Sequence, residues 1–199
     1  MSIFEDANIQ SGEWDLVGYL NDIKNPREKL GKYPVLGGTD KIKYFVDKGY
    51  YIHNTLYFNS KEKKTRVDKF KDLNLPLESN ASAIHPTAII APGARIGHGV
   101  LINQFSLLQV NCDVKNFIHI YSNSLIGHES KIYNYSTIGA HSIVGARVIL
   151  KEGVHVGLNV SIREDLIIES YSVLGMGSVV IKNVNKFEIH GGNPAKPIK

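Results

Sequence analysis

From about residue 83 to residue 183, a large aliphatic side chain recurs at every sixth position of the chain. Seventeen consecutive positions keep this period: Ile84, Ile90, Ile96, Ile102, Leu108, Val114, Ile120, Ile126, Ile132, Ile138, Val144, Leu150, Val156, Ile162, Ile168, Leu174 and Val180. A helix has a period of 3.6 and a strand a period of 2, so neither element sustains this pattern. A period of six predicts a triangular β-helix in which each hexad supplies one short parallel strand and one corner.

Two further positions of the hexad are biased. Mostly small residues lie two positions before each aliphatic one, where the chain is expected to bend: Ser82, Ala88, Ala94, Val100, Ser106, Cys112, Ile118, Ser124, Ser130, Ser136, Ser142, Val148, Val154, Val160, Leu166, Ser172 and Ser178. Glycine is frequent directly after the aliphatic residue, which predicts corners with a positive φ that most L-residues avoid. Antiparallel strands joined by glycine turns are the alternative, but they do not account for seventeen positions in one register.

Three hexads make one coil, so residues 18 apart are expected to stack at about 4.8 Å. The corner positions then form three columns. The first column is Asn103, Tyr121, Gly139, Gly157 and Gly175; the second is Ala91, Gln109, Gly127, Gly145 and Arg163; the third is Gly97, Lys115, Tyr133, Lys151 and Glu169. The three glycines that end the first column predict a lane without side chains, where a long ligand such as pantetheine could bind main-chain groups. The alternative is that these glycines only allow the chain to turn the corner and bind no ligand.

Residues 1–80 lack the six-residue period and alternate between strand and helix signals. Strands are predicted at 15–20, 33–37 and 50–58, and helices at 39–48 and 61–73, which together indicate a small parallel α/β unit. We therefore expect a small α/β domain over 1–80, a β-helix over 81–184 and a C-terminal tail over 185–199.

Composition narrows the classes of protein further. The 199 residues carry a net charge of +4, and no apolar run approaches the roughly 18 residues that cross a membrane. With no signal-peptide pattern after Met1, a cytoplasmic location is expected. The lone Cys112 occupies a core position and predicts an inert thiol. The cations between Lys61 and Lys71 favour a solvated helix face, and a nucleic-acid patch is the alternative.

A candidate general base stands in the second column, within Gly127-His128-Glu129. A neutral imidazole can remove a proton from an attacking amine or hydroxyl near pH 7, and a neighbouring carboxylate holds its tautomer. Adjacent side chains of a strand point apart, but a corner can bring them together. Among the other histidines, His98 repeats the Ile-Gly-His pattern without a carboxylate. His85 is expected to be structural, and a solvated or interface role is expected at three positions: His119, His141 and His155.

These features resemble the left-handed hexapeptide β-helix acyltransferases, in particular the sugar-nucleotide N-acetyltransferases and sialic acid O-acetyltransferases. The resemblance rests on the hexads, the His-Glu pair and four further segments: 17–22 (VGYLND), 35–37 (VLG), 84–88 (IHPTA) and 192–196 (GNPAK). It implies a mainly β fold, a left-handed parallel β-helix preceded by a small, incomplete Rossmann-like α/β domain. The family opens with a strand and a glycine-rich, histidine-containing loop, and this sequence begins after both.

The resemblance also implies an activity. It is the acetyl-CoA-dependent, direct transfer of acetyl to the amino group of a nucleotide-linked amino sugar, in a homotrimer, with His128 as base and Glu129 as its partner. The cofactor would contact Thr137, Ala146, Gly157, Leu158, Gly175, Met176 and Lys196, with the Ala146 N–H polarising the thioester carbonyl. Some relatives place a second histidine at Thr137. The acceptor would contact Asn21, Asp22 and Gly37.

Two alternatives to this activity remain open. O-acetylation of a sialic acid or related sugar uses the same base chemistry, and a catalytically silent trimeric scaffold needs no base at all. The sequence lacks the two histidines five residues apart that zinc-binding hexapeptide proteins use, so no metal is expected. A small-molecule acceptor is expected as the partner, with no nucleic acid and no membrane insertion.

Overall fold

The computed structural model describes residues 4–6, 13–55 and 62–198. From residue 83 onward, the chain winds as a triangular β-helix whose three faces are sheets of two- and three-residue strands. The first face contains Ala83–Ile84, Leu101–Ile102, His119–Ile120, Thr137–Ile138, His155–Val156, Val173–Leu174, Ile189–Gly191 and Lys196–Pro197. The second contains Ile89–Ile90, Leu107–Leu108, Leu125–Ile126, Ile143–Val144, Ser161–Ile162 and Val179–Val180. The third contains Arg95–Ile96, Asp113–Val114, Lys131–Ile132, Ile149–Leu150 and Ile167–Ile168.

The predicted spacing of 18 residues between stacked strands is confirmed. His119 pairs with Thr137 and Thr137 pairs with His155, all in parallel register. The first face ends differently, because Lys196–Pro197 runs antiparallel to Ile189–Gly191. The first column therefore lies at the edge between the first and second faces, and the second column lies between the second and third faces.

The predicted interior of the coil is confirmed from the second coil onward. The large aliphatic residues between Ile102 and Val180 are fully or almost fully buried in one cluster. The small residues two positions earlier are buried as well, and several serines among them have a second role. Ser124 Oγ donates to the carbonyl of Gly139 at 2.9 Å, and Ser142 Oγ donates to that of Gly157 at 2.8 Å. These serines therefore satisfy corner carbonyls of the next coil, which would otherwise be buried without a partner.

The prediction that the corner glycines need a positive φ is wrong. Positive φ values instead occur two residues later, mostly at non-glycine residues such as Glu129 and Tyr135. The corner glycines are required by close approach of successive coils. A Cβ on Gly127 would lie 2.5 Å from the main-chain nitrogen of Ala146, and one on Gly157 would lie 2.8 Å from the carbonyl oxygen of Leu174.

The N-terminal unit differs in part from the prediction. Its strands are Tyr19–Leu20, Lys29–Leu30 and Tyr33–Gly37; the third pairs parallel with the first and antiparallel with the second. Residues 15–18 are not a strand, and Lys29–Leu30 was not predicted. The predicted strand at 50–58 is also wrong over its described part, where Ile52 makes only an isolated bridge to Asn80. Residues 56–58 lie outside the described residues.

Both helices are confirmed, with shorter bounds. A 3₁₀ turn at Thr39–Lys41 continues into helix α1 at Ile42–Asp47, and helix α2 spans Lys63–Lys71. Helix α2 docks on the coil through Val67 and Phe70, which pack with the stacked rings of Phe117 and Tyr135. This contact places the N-terminal end of α2 over the first face of the β-helix.

The cations of α2 are largely compensated. Lys64 pairs with Asp68, Arg66 with Glu62, and Lys71 with Glu152 of the coil. This arrangement favours the solvated helix face over a nucleic-acid patch, with one exception. Lys63 is only 3% exposed.

Candidate active site

A groove of about 530 Å³ runs along the first column. Its floor is the backbone of the three stacked glycines, and a Cβ at Gly139 or Gly157 would lie within 2.8 Å of the next coil. Its lining residues are Tyr121, Thr137, Gly139, His155, Val156, Gly157, Leu158, Val173, Leu174, Gly175 and Met176. The structure therefore brings together five of the residues predicted to bind the cofactor: Thr137, Gly157, Leu158, Gly175 and Met176.

Thr137 and His155 line the groove from the outer side of the first face. His119, Thr137 and His155 stack in register there. The N-terminal unit covers this row, since the ring of His53 stacks on that of His119 with centroids 5.4 Å apart. Lys63 reaches the same row from helix α2, with Nζ 3.4 Å from Thr137 Oγ1 and 3.3 Å from the carbonyl oxygen of Val154. His119 and His155 therefore lie at an interface within the chain, between the N-terminal unit and the β-helix.

Burial governs the protonation of this row. Desolvation lowers the pKa of His53 to about 4, that of His119 to about 3 and that of His155 to about 4. Desolvation also lowers the pKa of Lys63 to about 7. The three imidazoles are thus neutral near pH 7, and the amine of Lys63 exchanges between its charged and neutral forms.

These shifts predict a loss of stability on mild acidification. A histidine whose pKa is below its unfolded value of about 6.5 binds fewer protons when folded. The free energy of unfolding should therefore fall as the pH is lowered from about 6.5 towards 5, by about 1.4 kcal/mol per pH unit for each such proton. Urea unfolding at pH 7, 6 and 5 measures this slope. His119→Asn should reduce the slope, whereas the change His98→Asn at an exposed histidine should not; equal slopes in all three proteins would contradict the assignment.

The predicted base lies at the second column. His128 is half-buried, and its Nδ1 lies 3.2 Å from Glu129 Oε2. Glu129 has a φ of 60°, so the alternation of adjacent side chains is broken at this corner as the sequence suggested. Donation from Nδ1–H to the carboxylate leaves Nε2 as the proton acceptor. The main-chain N–H of His128 is in turn held by Gln109 Oε1 at 3.0 Å.

The coil after His128 completes the surroundings of the imidazole. Ala146 stacks on His128, 18 residues later, and its N–H makes no hydrogen bond within the described part of the chain. Arg147 follows it and forms a bidentate pair with Asp165, at 2.6 and 2.8 Å. The hydrogen bond from Arg147 and the charge of that guanidinium hold the pKa of the Asp165 carboxyl below its usual value. A main-chain donor and a fixed charge pair therefore lie beside His128.

His128 and the groove lie at different corners of one prism. The second face separates the first column from the second, and neither His128 nor Ala146 lines the groove. The two sites are nevertheless level along the axis. Thr137 follows His128 by nine residues, which is half a coil or roughly 2–3 Å of rise along the axis. Gly175 lies about 12 Å from His128 along the same axis.

The remaining predicted residues lie in two places. Lys196 pairs with Gly191 at the end of the first face, next to Gly175 and the far end of the groove. Asn21 N–H donates to the carbonyl of Gly37 at 2.8 Å. Asp22 accepts bonds from the N–H and hydroxyl of Thr39, at 2.6 and 2.9 Å. The predicted acceptor set is thus one cluster, with the Asp22 carboxylate already engaged at the first residue of the 3₁₀ turn that precedes α1.

Sequence reasoning missed Tyr121, His155 and Lys63. Tyr121 belongs to the first column and His155 to the row beside it, so the spacing of 18 residues could have found both. Nothing local distinguishes Lys63 from its neighbours.

Among the described residues, no group of three or more His, Cys, Asp or Glu side chains could hold a metal ion. None of the described helices is long and apolar enough to span a bilayer.

This coil is the fold of the hexapeptide-repeat left-handed β-helix proteins, and solved structures share it. The acetyltransferase domain of PglB from Neisseria gonorrhoeae FA1090 superposes with a TM-score of 0.84 at 19% identity, covering 99% of this chain and 94% of that one. WeeI from Acinetobacter baumannii AYE gives 0.78 at 20% identity, covering 99% and 93%. A variant of perosamine N-acetyltransferase from Caulobacter crescentus, with CoA and GDP-perosamine, gives 0.76 at 18% identity, covering 87% and 81%.

The sequence itself shows the family. The model of the GMPPB C-terminal domain matches residues 79–188, more than half of the chain, and the chain belongs to that family. Among curated proteins, the acyl-[acyl-carrier-protein]–UDP-N-acetylglucosamine O-acyltransferase of Chlamydia pneumoniae is 39% identical over 64 residues, 29% of this chain and 23% of that protein. The enzyme of the same name from Bartonella quintana (strain Toulouse) is 27% identical over 66 residues, 30% and 24%. The chain thus spans about a quarter of the length of these relatives.

Proposed function

We propose that the protein is an acetyl-CoA-dependent acetyltransferase that acts on the amino group of a nucleotide-linked amino sugar. The observation that carries this proposal is the glycine-floored groove, whose Thr137 end is level with the His128–Glu129 pair. A groove without floor side chains leaves main-chain groups within reach of a slender ligand. Pantetheine is such a ligand, because it is long, largely apolar and interrupted by two amides.

The two ends of the groove suit the two ends of acetyl-CoA. Leu158 and Met176 expose apolar surface at its far part, 53% and 76% exposed, and Lys196 carries a positive charge beside it. The phosphates would lie at this far end and the acetyl group beside Thr137. A structure of the PglB acetyltransferase domain has acetyl coenzyme A bound, which supports the same ligand here.

The separation of base and groove supports a homotrimer. Within one chain His128 stands across the second face from the groove, so a complete site needs His128 from a second copy. Identical prisms with flat faces associate readily about a threefold axis. A rotation about an axis parallel to the prism keeps heights unchanged, and so would bring the level His128 of a neighbour to the Thr137 end.

The chemistry follows from the groups present. His128 Nε2 removes a proton from the acceptor nitrogen as that nitrogen attacks the thioester carbonyl, and Glu129 keeps the imidazole in the required tautomer. The new C–N bond forms, the C–S bond breaks, and CoA leaves as a thiolate that receives a proton from the imidazolium or from solvent. The Ala146 N–H would polarise the carbonyl oxygen, a role that needs no side chain.

The acceptor is assigned through the N-terminal unit and the relatives. Asn21, Asp22 and Gly37 form one cluster at the ends of two parallel strands, and the neighbour from Caulobacter crescentus is named an N-acetyltransferase and has GDP-perosamine bound. Transfer to a hydroxyl, on a sialic acid or another sugar, is the second candidate. The two curated relatives favour it, because their names describe O-acyltransferases. A silent scaffold is disfavoured by the 3.2 Å contact between His128 and Glu129.

A panel of amino-sugar nucleotides incubated with acetyl-CoA tests the proposal through release of free thiol. Product mass shows that one acetyl group was added, and hydrolysis by base then separates amide from ester, since an ester is the more labile. We expect thiol release with an amino-sugar nucleotide and an amide product. An ester product would transfer the assignment to O-acetylation. Binding of neither acetyl-CoA nor any sugar nucleotide would overturn the enzyme proposal and favour the scaffold.

A further inference from the structure

Lys63 is the buried cation that the proposed mechanism does not use. Its Nζ contacts two neutral oxygens, Thr137 Oγ1 at 3.4 Å and the Val154 carbonyl at 3.3 Å. No carboxylate pairs with it among the described residues, although Lys64 and Lys71 on the same helix are both paired with one. A buried amine without a counter-charge costs stability because it is removed from water. Its position therefore calls for an explanation in terms of function.

Thr137, which accepts a hydrogen bond from Lys63, connects this lysine to the groove. Thr137 is 5% exposed, yet it lines the groove at the end that is level with His128. A hydroxyl has one hydrogen to donate and two lone pairs to accept with. Because Lys63 Nζ–H occupies one lone pair of Oγ1, the hydroxyl hydrogen is left to point elsewhere. The groove is the open direction for it.

We infer that Lys63 is a positioning residue for the acyl group: it donates to Thr137 Oγ1 and so directs the Thr137 hydroxyl hydrogen to the carbonyl oxygen of the bound thioester. A charged donor behind a hydroxyl polarises it and makes it the stronger donor. The hydroxyl then adds to the Ala146 N–H as the negative charge develops on the carbonyl oxygen. This inference rests on the proposed function and assigns the group that distinguishes acetyl-CoA from free CoA.

The titratable groups around Lys63 do not change their own charge near neutral pH. His119 and His155 face it from the first face, and His53 stacks behind His119. All three imidazoles have a pKa of about 4 or lower, so they stay neutral between pH 6 and 9. Glu62, the residue directly before the helix, is paired with Arg66. Burial brings the pKa of Lys63 to about 7, so its own charge is the one that changes in this range.

The test compares the affinities of acetyl-CoA and free CoA by calorimetry, since only acetyl-CoA carries the carbonyl. Thr137→Val and Lys63→Met should each lower the ratio of the two affinities by about 3–10-fold, the usual worth of one hydrogen bond. The double variant should lose no more than Thr137→Val alone, because both act on one bond. Lys64→Met, at an exposed lysine on the same helix, should leave the ratio unchanged. Lys63→Met should also keep or raise the unfolding temperature.

Two readouts separate positioning from a structural role. In the unsubstituted protein the ratio should fall as the pH rises above about 7 and the ammonium loses its proton, whereas in Lys63→Met it should not depend on pH. A normal ratio in Lys63→Met, or additive losses in the double variant, would overturn the inference. The measurement needs no acceptor, so absent thiol release with every sugar nucleotide would count against the proposed function alone. Failure of the unsubstituted protein to bind acetyl-CoA would overturn both.

Discussion

Replacing His128 with alanine is expected to lower kcat by about 10²–10⁴, the usual contribution of a positioned general base. Nε2 of this imidazole is left as proton acceptor because Glu129 holds Nδ1–H at 3.2 Å. Glu129→Ala removes only the orienting carboxylate and should therefore cost less than His128→Ala. Steady-state kinetics by thiol release, together with a mass measurement of the assembly, gives both numbers.

The matched control is His98→Ala. His98 stands in the same Ile-Gly-His pattern, at a third-column corner near the start of the β-helix and with no carboxylate after it. Its variant should retain full activity. Near-normal turnover in His128→Ala, with the assembly intact, would transfer the role of base to another group.

Gly175→Leu is expected to weaken acetyl-CoA binding by on the order of 100-fold or more, equivalent to about 2.7 kcal/mol. A Cβ at this position meets its nearest atom, the carbonyl oxygen of His190, at 3.2 Å, so the coil can accommodate it with a small adjustment. The rest of the side chain would occupy the lane along the stacked glycines. Calorimetry with acetyl-CoA measures the loss.

Glu169→Leu provides the control for this variant. Glu169 holds the same place in its hexad, one corner earlier in the third column, and does not line the groove. Its affinity for acetyl-CoA should be unchanged, and both variants should unfold near the temperature of the unsubstituted protein. Tight binding by Gly175→Leu would show that the ligand does not use the glycine lane.

The β-helix could be predicted from the sequence because every hexad repeats the same physical requirement. Each coil buries one large side chain per face, so seventeen positions carry the same information. The reason for the glycines could not be derived in the same way. Glycine at Gly127 is required by the backbone of Ala146 one coil away, and a contact between coils is not visible in the local sequence.

The residues of the candidate site also differ in how well the sequence predicts them. The His128–Glu129 contact and the glycine lane lie within the repeat, so register and column placed them. Lys63 lies outside it, and its burial depends on how helix α2 docks through Val67 and Phe70. The N-terminal strands were predicted less well, because two-residue strands such as Tyr19–Leu20 and Lys29–Leu30 are too short to show a period.

The central claim is that each active site combines the groove of one chain with His128 of a neighbour. Co-expression of His128→Ala chains with Gly175→Leu chains, under two affinity tags, tests it directly in the thiol-release assay. Each variant alone should be almost inactive. Mixed trimers should recover activity, to about a third of the unsubstituted level, because one of the three sites in each mixed trimer then pairs an intact groove with an intact base. Mixed trimers that stay as inactive as either parent would show that groove and base do not meet across chains, and would contradict the claim.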